Sequence, residues 1–303
     1  MKSFTHYVGI DWTGANKKRH RALKIAICEI GTNAPSLVSP PSGYVNWSRI
    51  ECAEWISGGC GLNNEARVLV GIDAAFGYPF YDEKGYLRGD LNIQSAPLMW
   101  SHVAKECEGS HDYFGGKFVE RYSRHFRWQR YNREQRKFDT IVDKDFFKPE
   151  LRRCENICIS EKYGPCVSVF NLIGASQVGK SALSTMIMLN ELQSSVNVCV
   201  WPFNEDRNQQ VVLVEIYAAL FSKLGGHLGK VRDRGTLNCV LRGLGSKPYR
   251  QELREDDKNV DDITDSLMTA AGLRHIASRQ QYWRPPELSS MVRRTEGWIF
   301  GVT

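Results

Sequence analysis

The sequence predicts an α/β fold, a mixed sheet flanked by helices, with a basic and partly helical insertion. Three observations predict it. FTHYVGIDW (4–12) and ARVLVGIDAAFG (66–77) are short apolar runs of the kind that form buried strands. Segments with helical apolar spacing alternate with such runs. The regular pattern stops near residue 78 and resumes only near 166. With 303 residues the chain is long enough for one large α/β domain, read as 1–303 with an insertion at 78–165.

The first strand ends at Asp11. TGANKKR, with Gly14 and Asn16, reads as a turn into a second strand, HRALKIAICEI (20–30). NAPSLVSPPSGY leaves room for a short edge strand. WSRIECAEWISGG (47–59) reads as a helix: Ile50, Ala53 and Ile56 recur at three-residue spacing, and glycines stop it. The run 66–77 is the central strand, with Asp73 near its C-terminal end. Past the insertion the pattern predicts a strand at 166–173, a helix at 181–192, strands at 196–203 and 211–217, and a helix over AALFSKLGG. GGHLGKVRDRG reads as a flexible join. The last helix spans 260–276, with Ile263, Leu267, Ala270, Ala271 and Ile276 as its apolar face.

Hydrophobic content of 42% and charged content of 24% are those of a soluble globular protein. No apolar run reaches the roughly 18–20 residues that span a bilayer, and MKSFTHYVGIDW lacks the apolar core of a signal peptide. A cytoplasmic location away from membranes is expected. The nine cysteines are scattered, as buried reduced thiols are. Cys154, Cys158 and Cys166, spaced C-x3-C-x7-C, lack the paired knuckles of structural zinc.

The net charge of +6 has a single source. Residues 117–137, KFVERYSRHFRWQRYNREQRK, carry eight Lys/Arg against two Glu, so the rest of the chain sums to zero. Arg121, Arg124, Arg127, Arg130, Arg133 and Arg136 recur every third residue, interleaved with aromatic residues including Trp128. On an α-helix that spacing would spiral around the axis and leave no apolar face. Arginine forks suit phosphate and aromatic rings suit bases, so the segment is a candidate nucleic-acid contact. The alternative is a solvated or acid-paired helix.

Four carboxylates stand at informative places. Asp11 and Asp73 end strands, and Asp262 and Asp265, in DDITD, lie one turn apart on one side of the last helix. Unpaired buried carboxylates cost several kcal/mol, and a hard divalent cation is one partner that removes the cost. Two such ions about 3.5–4 Å apart could clamp the attacking and leaving oxygens of a phosphodiester. Singly, each acid also reads as a turn or cap residue.

The ordered motifs VGIDWTG, VLVGIDAAFG and DDITDSLMTAAGLRH resemble the ribonuclease H-like superfamily. The last helix is similar to that of RuvC-type junction resolvases. IDAAFGYP, the RRCE segment, VWPF and VEIY look like an uncharacterised branch of predicted nucleases. The resemblance implies an RNase H-like sheet and a metal-dependent nuclease using Mg²⁺ or Mn²⁺. Asp11, Asp73, Asp262 and Asp265 would be its catalytic metal ligands, and Glu215 an additional acid. A non-catalytic nucleic-acid binder stays open beside it. RuvC-type enzymes usually carry Glu where this chain has Asp73, and the shorter arm would move or weaken the metal.

GASQVGKS (174–181) fits the phosphate-loop pattern G-x-x-x-x-G-K-[ST] between a predicted strand and a predicted helix. A working NTPase loop also needs an acid on a neighbouring strand, for which Glu205, Asp206 and Glu215 are available. None of them ends an apolar strand as an aspartate. The other readings are a backbone-phosphate contact through Gly179, Lys180 and Ser181 at the helix N-terminus, or a tight structural turn. Actin-like ATPases would need a second D-G-G loop, which the later half lacks.

Overall fold

The computed structural model describes residues 3–174, 178–204, 208–254 and 257–303. The strands are β1 (His6–Asp11), β2 (Lys24–Glu29), β3 (Ser36–Leu37), β4 (Val68–Ile72), β5 (Trp128–Asn132), β6 (Lys137–Ile141), β7 (Val198–Val200) and β8 (Val211–Glu215). The helices are α1 (Arg49–Ser57), α2 (Ala96–Glu106), α3 (Gly116–Arg121), α4 (Arg153–Ser160), α5 (Val178–Leu192), α6 (Ala218–Leu224), α7 (Arg234–Gly243), α8 (Val260–Ile276), α9 (Gln280–Trp283) and α10 (Ser290–Thr295).

Among these residues a six-stranded sheet runs in the order β3-β2-β1-β4-β8-β7. β1–β2–β3 is an antiparallel meander, and β4, β8 and β7 run parallel to β1, so the sheet is mixed. β4 is buried along its whole length, VLVGI. Each such Val, Leu or Ile contributes about 1.5–3 kcal/mol by leaving water. Side chains alternate across the pleat. Val8, Ile10, Val70 and Ile72 face a layer containing α1, α2 and α5. Tyr7, Leu69, Val212 and Val214 face the layer of α6, α7 and α8.

The long helix α8 crosses β1 at close range. A Cβ on Gly9 would collide with the Ser266 carbonyl and the Ala270 nitrogen, and one on Gly71 would press on Leu273 and Ile216. Glycines at the centres of β1 and β4 therefore set how near α8 lies to the sheet.

The insertion is not a separate appendage. Tyr78, Phe80, Met99, Trp100, Phe118 and Phe126 belong to the same core as β1 and β4. Buried Asp112 anchors it, accepting from the Arg49 backbone N–H at 2.8 Å and pairing with His20 Nε2 at 2.7 Å. No helix among the described residues is long and apolar enough to cross a membrane.

Three expectations need correction. The insertion is partly helical as expected, but its basic segment 117–137 is α-helical only in α3: a 3-10 turn, β5 and the start of β6 follow, and β5–β6 make a separate hairpin. The three-residue arginine spacing carries no stripe once the backbone is extended. Residues 166–173 are not a strand of the sheet. Val169, Phe170, Leu172 and Ile173 are buried in a turn whose backbone pairs with Arg127. The strand at 196–203 is short, limited to Val198–Val200, because the chain turns at Trp201. The last helix, by contrast, runs over 260–276 as its periodicity predicts.

Candidate active site

Asp11 is the last residue of β1, and Asp73 follows β4 by one residue. Asp73 N–H donates to the Ile10 carbonyl at 3.0 Å, which holds the two strand ends side by side. The pleat puts Asp11 on the same face as Tyr7 and Gly9, and Asp73 with Leu69 and Gly71. That is the face α8 covers. α8 brings Asp262 and Asp265 from its first two turns to the same place. The glycine-permitted approach of α8 to β1 is what closes the group.

Asp11 and Asp262 share a side-chain hydrogen bond. Asp262 also accepts from Asn259 Nδ2 at 2.6 Å. Asp265 is 8% exposed and accepts from Lys230 Nζ at 3.1 Å. Burial, then the charges of Asp265, Asp73 and Asp262, push Asp11 well above the carboxylate range. Burial and Asp265 raise Asp73, with Lys230 opposing. Asp262 and Asp265 are raised as well, by burial first. All four shifts have one physical cause: too much negative charge is held with too little water around it. Asp11 and Asp73 remain partly accessible, at the wall of a cavity of about 440 Å³ that also touches Ser181, Glu215 and Lys230.

The donor set suits a hard divalent cation: carboxylate oxygens in excess, crowded, with a shared proton and two lysines, Lys230 near Asp265 and Lys24 near Asp262, as the nearby counter-charges. Among the described residues no three His, Cys, Asp or Glu side chains are already arranged around one point as metal ligands. Taking up an ion would require the Asp11–Asp262 proton to leave and the side chains to turn inward.

Glu215 lines the same cavity but belongs to a different cluster. It pairs with Ile72, one residue before Asp73, so the pleat turns it to the opposite face. Arg152 donates to both of its oxygens, one at 2.8 Å, and the Phe76 N–H adds a bond at 2.8 Å. Arg152 also donates to Glu155 Oε1 at 3.0 and 2.9 Å from Nε and Nη2. The RRCE and VEIY motifs thus meet in one buried ion network. Lys230, which sequence reasoning left inside a flexible join, touches the site through Asp265, and only its glycine-rich setting hid it.

GASQVGKS begins with Gly174, at φ +91°, and ends in the first turn of α5; Ala175–Gln177 lie outside the described residues, as do Glu205 and Asp206. A Cβ on Gly179 would collide with the Val169 carbonyl, and one on Gly14 with the Lys180 backbone. These glycines serve close packing. Lys180 and Ser181 line different cavities. Ser181 Oγ donates to the Val178 carbonyl at 2.9 Å. A phosphate loop follows a sheet strand, its lysine reaching the phosphates and its Ser/Thr hydroxyl the Mg²⁺; here the residues before the loop, 166–173, form a turn and not a strand of the sheet.

All six arginines of the basic segment are exposed. Arg121 pairs with Glu106 at 3.3 Å, Arg124 with Asp90, and Arg127 Nη1 donates to Asn171 Oδ1 at 3.3 Å. Arg130 lies on β5, with its guanidinium 5.8 Å from the half-buried Trp128 ring, and Arg133 and Arg136 sit in the β5–β6 turn. Cys154 and Cys158 are buried on α4, and Cys166 is hydrogen-bonded to Cys158. Compared with protein-family models, with curated proteins and with solved structures, the chain matches none.

Proposed function

We propose that the chain is a metal-dependent nuclease of ribonuclease H-like architecture that hydrolyses phosphodiester bonds in nucleic acid. The supporting observation is the meeting of Asp11, Asp73, Asp262 and Asp265, which come from two neighbouring strand ends and a helix far away in sequence. The element order agrees with the resemblance: a strand, an antiparallel partner, a helix, a parallel central strand, and a last helix packed on the first strand.

Asp11, Asp73, Asp262 and Asp265 would hold Mg²⁺ or Mn²⁺. When bound, the ions supply Lewis-acid polarisation of the phosphate and stabilise charge on the leaving oxygen. Asp11 and Asp262 hold the proton that such binding displaces. Lys230 balances Asp265, and the arginines of the β5–β6 hairpin hold the phosphate backbone.

The test is metal-dependent cleavage of single-stranded, duplex and branched DNA and RNA. Asp11→Asn combined with Asp73→Asn is expected to lose about 10³-fold in rate. Unchanged cleavage by that double variant sinks the reading. A second reading, a binder without catalysis, is favoured by the Lys230 ammonium beside Asp265, and it predicts binding with no cleavage by the wild type.

A further inference from the structure

The other side of the first turn of α5 borders a second cavity, also of about 440 Å³. One wall is the β5–β6 hairpin. Trp128, Tyr131, Phe138 and Phe114 give it aromatic surface, and Arg130 and Lys180 outweigh the one acid in its lining, Glu120. Tyr131 and Phe138 stand opposite each other in the hairpin register. Their rings meet edge to face, 5.2 Å apart and inclined at 62°. Such a cross-strand pair normally stabilises a hairpin by covering itself. Here Tyr131 is 50% exposed and Phe138 62% exposed, at the mouth of a cavity. The pair leaves two ring faces open to solvent beside the positive charge of the cavity.

The volume lies in the range of small-ligand pockets. Flat aromatic faces beside guanidinium and ammonium groups match a nucleobase with its phosphate. β5 and the β5–β6 turn also belong to the segment that carries the whole net charge of the chain. Lys180 lines this cavity and its neighbour Ser181 lines the carboxylate cavity. Gly14, three residues beyond Asp11, packs on the Lys180 backbone and also lines the second cavity. A nucleotide held here would therefore lie next to the acids.

We infer that this cavity seats one unpaired nucleobase, so that single-stranded or locally unpaired nucleic acid is the substrate class of the carboxylate site. A base inside a duplex has both faces stacked and offers none to Tyr131 or Phe138; an unpaired base offers both. The substrate half of the inference rests on the proposed nuclease activity. The binding half stands without it.

The experiment measures fluorescence anisotropy of end-labelled oligo-dT, oligo-U and blunt duplexes with the full chain in EDTA. Single strands are expected to bind about tenfold more tightly than duplex. Tyr131→Ala with Phe138→Ala removes about tenfold of single-strand affinity and leaves the salt dependence unchanged, because stacking carries no counterion term. Both side chains are largely exposed, so the fold survives, and Tyr131→Trp, which keeps a stacking face, binds as the wild type does. The oligo-dT and oligo-U arms separate DNA from RNA as the source of the base. Equal single-strand affinity of the wild type and the double alanine variant overturns the inference, as does duplex binding as tight as single-strand binding. Aromatic-dependent binding without any Mn²⁺-dependent cleavage overturns the nuclease reading and keeps the base site. Cleavage that Asp73→Asn abolishes, with binding indifferent to the aromatic pair, does the reverse.

Discussion

Two clusters of charge line the same cavity and are built on opposite terms. In one, Arg152 sits between Glu155 and Glu215, and hydrogen bonds join it to both. In the other, four aspartates share one hydrogen-bonded pair and two lysines, of which only Lys230 makes a direct bond, to Asp265. The first cluster keeps one negative charge in excess, but all four of its carboxylate oxygens accept hydrogen bonds, and it ties α4 to β8 and, through the Glu296 carbonyl, to the end of α10. The second is held together against its own repulsion by the packing of α8 on β1. Charge that is buried and fully hydrogen-bonded builds structure. Charge that is crowded and unmatched is where a ligand or a reaction is to be sought.

Substitutions can break or sharpen this contrast. The largest effect belongs to Arg152→Met, which leaves two buried carboxylates facing each other. It should destabilise the fold by about 3–5 kcal/mol, read as a lower urea midpoint. Gly179→Ala comes next, at about 1–3 kcal/mol, because its methyl group meets the Val169 carbonyl rather than a flexible side chain. Asp11→Asn should go the other way. Its amide can still donate to Asp262, and Asn escapes the free energy that keeping Asp11 protonated in the fold costs at neutral pH, so metal-free protein should gain about 1 kcal/mol in urea. If Asp11→Asn costs as much as Arg152→Met, the two clusters do the same job and the contrast collapses. Arg133→Ala with Arg136→Ala should leave stability within about 0.5 kcal/mol of wild type. That pair should instead lower the slope of log affinity against log salt for single strands by about 1 per arginine.

The part of this site that was legible in the sequence is the part that local rules decide. The last helix begins with acids its dipole favours, and its span is as expected, but Thr264–Leu273 are buried all round and not along one apolar face. An apolar run ending in Asp73 announces a central strand because nothing else buries VLVGI so completely. The misreadings arise where partners far along the chain decide. VSVFNLI is apolar enough for a strand, but its backbone pairs with Arg127 and its side chains fill the core from a turn. The arginine segment has one period on paper, yet β6 pairs with β5 and converts it to a hairpin. Glu215 and Asp73 look equivalent as strand-end acids. A register offset of one residue puts them on opposite faces.

GASQVGKS shows the same limit from the other direction. Its spacing satisfies a phosphate loop, but the strand before it is absent from the sheet, and Lys180 and Ser181 serve different cavities. Close packing at Gly179 accounts for the second glycine without any phosphate.

Mn²⁺ binding, followed through the electron paramagnetic resonance signal of the free ion, tests the central claim most directly. The wild type and Lys180→Ala should both take up Mn²⁺, and Asp11→Asn with Asp73→Asn should not. Uptake by the double aspartate variant equal to that of the wild type would contradict the assignment of these acids as the metal site.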